Sequence, residues 1–122
     1  MSKFKAQGFA GTFKNARKGF RLVIRSEMNI RIHLLIAFFV LICAYFLKFS
    51  ALEYSALLFA IAMVIVTEML NTAIEFALDS IYHNKYSKMV GMAKDISAGA
   101  VMFASFISLL VGVILFGKHL LG

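Results

Sequence analysis

The stretch YSALLFAIAMVIVTEMLNTAIEFALD, residues 54–79, decides how this chain folds. Its first half, Tyr54 to Val66, has no charge, glycine or proline; its second half carries Glu68, Asn71, Glu75 and Asp79 with no break before them. A bilayer core takes about 20 apolar residues of helix, and this run is long enough to cross one. An ionised carboxylate at such depth costs about 3 kcal/mol or more, so the acids must be sheltered or used. At ~100° per residue the four polar side chains fall within an arc of about 80° on one helix face. Met69, Ala73, Phe76 and Ala77 form the opposite, apolar face. An ionisable stripe inside a membrane helix is a candidate functional site by default. The competing reading is polar glue between helices.

Composition agrees with the membrane reading. Hydrophobic residues make up 61% of the 122 residues, against roughly 45–50% in soluble domains, more than a soluble chain of this length can bury. Proline is absent, which permits long unbroken helices. Backbone groups in lipid must be satisfied by helix or closed barrel, and the apolar runs lack the alternation of strands. The predicted fold is therefore an all-α membrane protein of one domain, with transmembrane helices at 33–49, 54–81 and 96–117. Before them, Phe13, Ala16, Phe20, Val23, Ile24 and Ile30 recur near helical spacing among basic residues. That pattern predicts an amphipathic helix within residues 1–32, lying on the membrane surface with its cations near anionic headgroups. The same segment lacks the apolar core and cleavage site of a signal peptide, so the apolar helices are expected to remain in the mature protein. The net charge of +7 also admits nucleic acid as a partner, but the basic segment abuts a span and carries no nucleic-acid motif; none is expected. The lone Cys43 reads as core filler. Without tryptophan, interfacial anchoring falls to Tyr45, Tyr54, Tyr82 and Tyr86.

Charge also sets orientation. Lys3, Lys5, Lys14, Arg17, Lys18, Arg21, Arg25 and Arg31 precede or open the first span, and Lys85, Lys88 and Lys94 lie in the segment 82–95. The first loop has only Lys48, with Glu53. Positive-inside logic places the N-terminus and the 82–95 loop in the cytoplasm and the C-terminus outside. Glu68 then lies about 20 Å below Tyr54 along the helix, and Asp79 near the cytoplasmic surface. The stripe begins in the inner leaflet and opens to the cytosol. A row of small residues, Ala100, Ala104, Ser108 and Gly112, permits close helix approach. Three helices offer little interior of their own, so an oligomer is expected.

Mg²⁺ is held by one or two carboxylates together with substrate phosphates. Beside Glu75, the acid at a comparable depth is Glu27; its competing role is an ion pair with Arg31, four residues on. Lys94 can meet phosphate as a point charge. Asp95 can either share that site or cap the helix that follows. No Walker loop or GxGxxG is present, and His33, His83 and His119 lack metal-ligand spacing. His33 reads as a marker of the membrane interface.

The spacing E-x-x-N-x-A-x-E-x-x-x-D over 68–79, followed by AKDISAGAV at 93–101, resembles the small prokaryotic diacylglycerol kinase family. The likeness runs from KGFR at Lys18 to Val101, and NIRIH at 29–33 is more similar to the undecaprenol kinase branch. The segment SIYHNKYSKMVGM, residues 80–92, matches the diacylglycerol branch poorly. The resemblance implies a homotrimeric lipid kinase of the bacterial cytoplasmic membrane that uses ATP and Mg²⁺, with its site shared between subunits. It implies that Glu68 is the catalytic base and that Glu27 and Glu75 hold the metal. Asn71, Asp79, Lys94 and Asp95 complete the nucleotide site, and Arg21 and Arg31 join Glu68 on the lipid side. The expected product is undecaprenyl phosphate, or phosphatidic acid if the acceptor is diacylglycerol. A small channel or proton-coupled transporter is the alternative of another class. Against it, neither Leu57 to Val66 nor residues 34–47 carry a charge, so no polar path crosses the membrane.

Overall fold

The computed structural model describes residues 8–83 and 87–122; Lys3, Lys5, Lys85 and Tyr86 lie outside them. Four helices follow one another: α1 (Gly8–Ser26), α2 (Met28–Phe46), α3 (Ala51–Tyr82) and α4 (Lys88–Leu121). The last three are each long and apolar enough to cross a membrane.

The helical pattern expected to run unbroken through residue 32 is divided at Glu27. That residue is extended, with φ −120° and ψ 114°, so α1 stops at Ser26 and α2 starts afresh at Met28. The break leaves carbonyls open at the end of α1. Arg31 turns back to them, its Nη1 donating to Ile24 O at 2.7 Å and Arg25 O at 3.0 Å. The competing reading, a Glu27–Arg31 ion pair, is therefore not formed: the two residues do not share one continuous helix, and the guanidinium is engaged elsewhere. Val23 from α1, Ile30 from α2 and Ile65 from α3 close into a buried cluster, with Ile61 and Met69 against it. This cluster fixes the α1–α2 junction beside the middle of α3.

The opposite end is built from turn chemistry. After α2, Phe49 N donates to Ala44 O and Lys48 N to Tyr45 O, both at 3.1 Å, with Lys48 in the left-handed region at φ 60°. These are the two bonds of a Schellman motif, and its usual apolar contact is supplied by Phe49 packing with Ala44 and Leu57. Ser50 then opens α3 with a capping box: its side chain accepts from Glu53 N at 3.1 Å, and Glu53 Oε1 accepts from Ser50 N at 2.8 Å. The other oxygen, Glu53 Oε2, meets Lys118 Nζ at 3.2 Å and His119 Nε2 at 2.9 Å. One carboxylate thus starts α3 and ties it to the end of α4. Phe49 stacks on the His119 ring with centroids 4.6 Å apart. Ser50→Ala removes half of the box and is expected to cost about 1 kcal/mol of stability, measured by thermal unfolding in detergent; an unchanged midpoint would show that the box contributes nothing.

Helices α3 and α4 pack against each other most extensively, while α2 touches α3 more sparingly. Of the small-residue row, Ala104 is buried at the contact with 2% exposure; Ser108 and Gly112 instead line a groove between α2, α3 and α4. Two expectations are corrected here. From Lys88 onward the supposed loop 82–95 is already α4, and Ser87, not Asp95, occupies its N-cap position. Cys43 is exposed rather than a core filler. It lies on α2 among exposed Phe38, Phe39, Ile42 and Phe46, because α2 is apolar on nearly all sides and only a part of it meets α3.

Candidate active site

Polar residues of α3 form a ladder whose steps pass from buried to exposed. At its buried end Glu68 is 7% exposed. Its Oε1 lies 3.1 Å from His33 Nε2 on α2. A carboxylate only accepts hydrogen bonds, so with Glu68 ionised the hydrogen sits on His33 Nε2. The second oxygen, Oε2, is buried with no hydrogen-bond partner among the described residues. An unsatisfied buried acceptor costs about 1–3 kcal/mol, and such an atom marks where a ligand's donor belongs. Glu68 shares a pocket of about 200 Å³ with Glu27, Asn29, Asn71 and Thr72, closed on the α4 side by Ala98 and Val101. Thr67, next to Glu68, stays out of this network because its hydroxyl turns back to Met63 O and Val64 O.

The next steps join α3 to α4. Asn71 Nδ2 donates to Glu75 Oε1 at 2.7 Å, and Ser97 Oγ donates to Asn71 Oδ1 at 2.6 Å. These two bonds fix which way the Asn71 amide faces, since its nitrogen only donates and its oxygen only accepts. At the open end Lys94 Nζ pairs with Asp79 Oδ1 at 2.8 Å. The Asp79 side chain there is 64% exposed, so a phosphate can compete for Lys94 at little cost.

The structure therefore brings together most of the residues singled out in the sequence. Glu68, Asn71, Glu75, Asp79 and Lys94 form one connected face, and Glu27 of the same chain lines the pocket of Glu68. Glu27 stands at the α1–α2 break without a side-chain capping bond, so its carboxylate is not consumed by the fold. Asp95 is exposed on α4, and its side chain makes no hydrogen bond or ion pair among the described residues. Arg21 is exposed on α1, and Arg31 is held by the α1 carbonyls. Among the described residues no three His, Cys, Asp or Glu side chains converge as a metal-holding group. The donor set suits a metal that takes one or two carboxylates and completes its shell with phosphate and water.

Two participants were missed from sequence. His33 reads as an interface residue there, yet it contacts Glu68; its signal was an imidazole beginning an otherwise uncharged run. Ser97 lies one helical turn beyond Lys94, where its hydroxyl reaches across to Asn71. A lone serine in an apolar helix carries too little signal to be found without the α3–α4 packing.

The family model for prokaryotic diacylglycerol kinase matches residues 14–116. The chain belongs to that family. Among its relatives, the undecaprenol kinase of Bacillus subtilis is 34% identical over 108 residues, 88% of this chain and 87% of the relative. A diacylglycerol kinase of Synechocystis is 31% identical over 83% of this chain but only 58% of its own length. The diacylglycerol kinase of Escherichia coli is 28% identical over 84% of this chain and 83% of the relative. Within the prokaryotic diacylglycerol kinase family the chain is a lipid kinase. The matched region contains the whole polar ladder, from Glu27 to Ser97.

Proposed function

We propose that this protein phosphorylates undecaprenol with ATP, and that Glu68 is the base that takes the acceptor's proton. The observation that carries the assignment is the asymmetry of the buried carboxylate: Oε1 is held by His33 while Oε2 has no partner. A lipid hydroxyl donating to Oε2 satisfies that atom. As the hydroxyl oxygen bonds to the terminal phosphorus of ATP, its proton passes to Oε2 and the bond to ADP breaks. General-base assistance contributes about 10²–10⁴-fold. Phosphoryl transfer otherwise depends on positioning and charge. Glu27 and Glu75 are the residues to hold Mg²⁺, with Asn71 orienting Glu75. When bound with ATP, the metal supplies charge neutralisation on the phosphates.

The two depressions divide the work. The polar pocket receives the reacting groups. The groove between α2, α3 and α4, about 420 Å³ and lined by Ile36, Val40, Ile61, Val64 and Leu109 among others, suits an apolar chain. His33 borders it as well, so a hydroxyl at the end of such a chain arrives beside Glu68. The open end of the ladder takes the nucleotide: Lys94→Met is expected to raise the KM for ATP on the order of tenfold, the worth of one charge-assisted hydrogen bond, in steady-state assays at saturating lipid. An unchanged KM removes Lys94 from the nucleotide site.

The chain is further proposed to act as a homotrimer in the bacterial cytoplasmic membrane, with its N-terminus and the 82–95 segment inside and the C-terminus outside. The basic residues before α2 and the largely exposed apolar faces of α2 and α4 support this. Undecaprenol is preferred over diacylglycerol because the Bacillus subtilis kinase shares more identity over more of both chains. The deciding experiment offers both lipids together in mixed micelles with labelled ATP. Undecaprenyl phosphate as the major product supports the assignment, and phosphatidic acid as the major product moves the protein to the diacylglycerol branch.

A further inference from the structure

We infer that His33 is the positioning residue of this site, fixing which oxygen of Glu68 meets the acceptor. The inference rests on the lipid-kinase reading above and adds a role for a side chain outside the α3 ladder. His33 stands on α2, in the second turn, at the joint between the two depressions: it lines the apolar groove on one side and contacts Glu68 of the polar pocket on the other. Its Nε2, 3.1 Å from Oε1, occupies one carboxylate oxygen. Glu68 is more than nine-tenths buried, and Oε2 is left as the unsatisfied acceptor. Without the imidazole, both oxygens are equivalent acceptors and the carboxylate is free to rotate about its terminal torsion, which is broad and roughly two-fold for glutamate. The acceptor hydroxyl then has two places to bind, only one of which is aligned for transfer. A misplacement of about 1 Å in a reacting group can cost 10²-fold in rate.

The neighbours of Glu68 leave this task to His33. Asn29 and Thr72 line the same pocket but neither donates to Oε2, and Asn71 is committed to Glu75 and Ser97. Glu27, which borders the same pocket, is itself an acceptor and cannot donate to Glu68 when ionised. Among the described residues His33 is the one side chain paired with the Glu68 carboxylate. The contact also explains why a histidine opens an apolar helix: leucine here leaves the buried carboxylate with both oxygens unpaired.

The test compares wild type with His33→Met and His33→Leu, which lack a donor, and His33→Gln, which restores an N–H at similar reach. Turnover is measured per folded protein in mixed micelles with undecaprenol, ATP and Mg²⁺, beside Glu68→Gln as a reference. Both apolar variants are expected to lose about tenfold to a hundredfold in kcat, less than the ~10²–10⁴ of the base itself. Their KM for ATP stays unchanged, and His33→Gln recovers most of the loss. Full kcat in the apolar variants overturns the inference, as does a loss confined to the KM for lipid. Failure of both apolar variants to fold also overturns it, because His33 is then a structural partner of a buried charge. If wild type phosphorylates no lipid alcohol, it is the kinase reading that fails. Active wild type with an inactive Glu68→Gln and an unaffected His33→Met rejects the His33 role alone.

Discussion

Glu68→Gln is expected to keep the fold and lose turnover by about 10²–10⁴-fold, the usual contribution of a positioned general base. The substitution is nearly isosteric. The amide oxygen can still accept from His33, as Oε1 does at 3.1 Å. The amide nitrogen then takes the place of Oε2, where it presents a donor to the acceptor hydroxyl in place of an acceptor. The hydroxyl loses both its partner and the destination of its proton. Because Glu68 contacts none of the residues at the open end of the ladder, ATP binding is expected to stay at the wild-type value. The measurement is kcat in mixed micelles alongside nucleotide binding by titration. Full turnover from folded Glu68→Gln would remove the base assignment.

The second large effect belongs to Glu75. Glu75→Ala removes a proposed metal-holding carboxylate and leaves the Asn71 amide, which donates to it at 2.7 Å, without its acceptor. Turnover at a fixed low Mg²⁺ concentration is expected to fall about 10²–10³-fold, comparable to removing one electrostatic stabiliser of a transition state. Added Mg²⁺ recovers part of the loss. Asn71→Leu leaves the carboxylate in place and removes its orientation, together with the bond from Ser97. Loss of such an outer partner typically costs 10–100-fold in metal affinity, so this variant shifts the Mg²⁺ dependence and approaches wild-type turnover when the metal saturates. Equal Mg²⁺ curves for wild type, Glu75→Ala and Asn71→Leu would place the metal elsewhere.

The ladder was legible in sequence because its information is local. A helix converts the spacing of Glu68, Asn71, Glu75 and Asp79 into one face with no knowledge of the rest of the fold, and charge in an apolar run draws the eye to it. The three long apolar helices were legible for the same reason. What the sequence concealed depends on neighbours. Glu27 reads as the end of one continuous helix, since nothing in RSEMNIR breaks the pattern; the extended backbone there follows from packing Val23 and Ile30 against Ile65. Asp95 has the chemistry of a cap but lies more than two turns inside α4, because no proline interrupts the segment from Lys88 and Gly91 is accommodated within the helix. His33 and Ser97 act through partners 35 and 26 residues away, and a contact of that range leaves no periodic trace.

At the α2–α3 turn, the same distance effect hid Glu53. It reads as one acid balancing Lys48 in a short loop, whereas the structure uses it to begin α3 and to hold the end of α4 through Lys118 and His119. The S-x-x-E spacing of Ser50 and Glu53 was the available signal for the capping box. The reach to α4 had none.

The proposed role of the buried α3 carboxylate, transfer of phosphate from ATP to a membrane alcohol, is checked by following the terminal phosphate of labelled ATP in mixed micelles containing undecaprenol, with and without Mg²⁺, for wild type and Glu68→Gln. Labelled undecaprenyl phosphate is expected from the wild type only, and only with the metal present. Label in the lipid from Glu68→Gln at the wild-type rate, or no labelled lipid from folded wild type, would contradict that role.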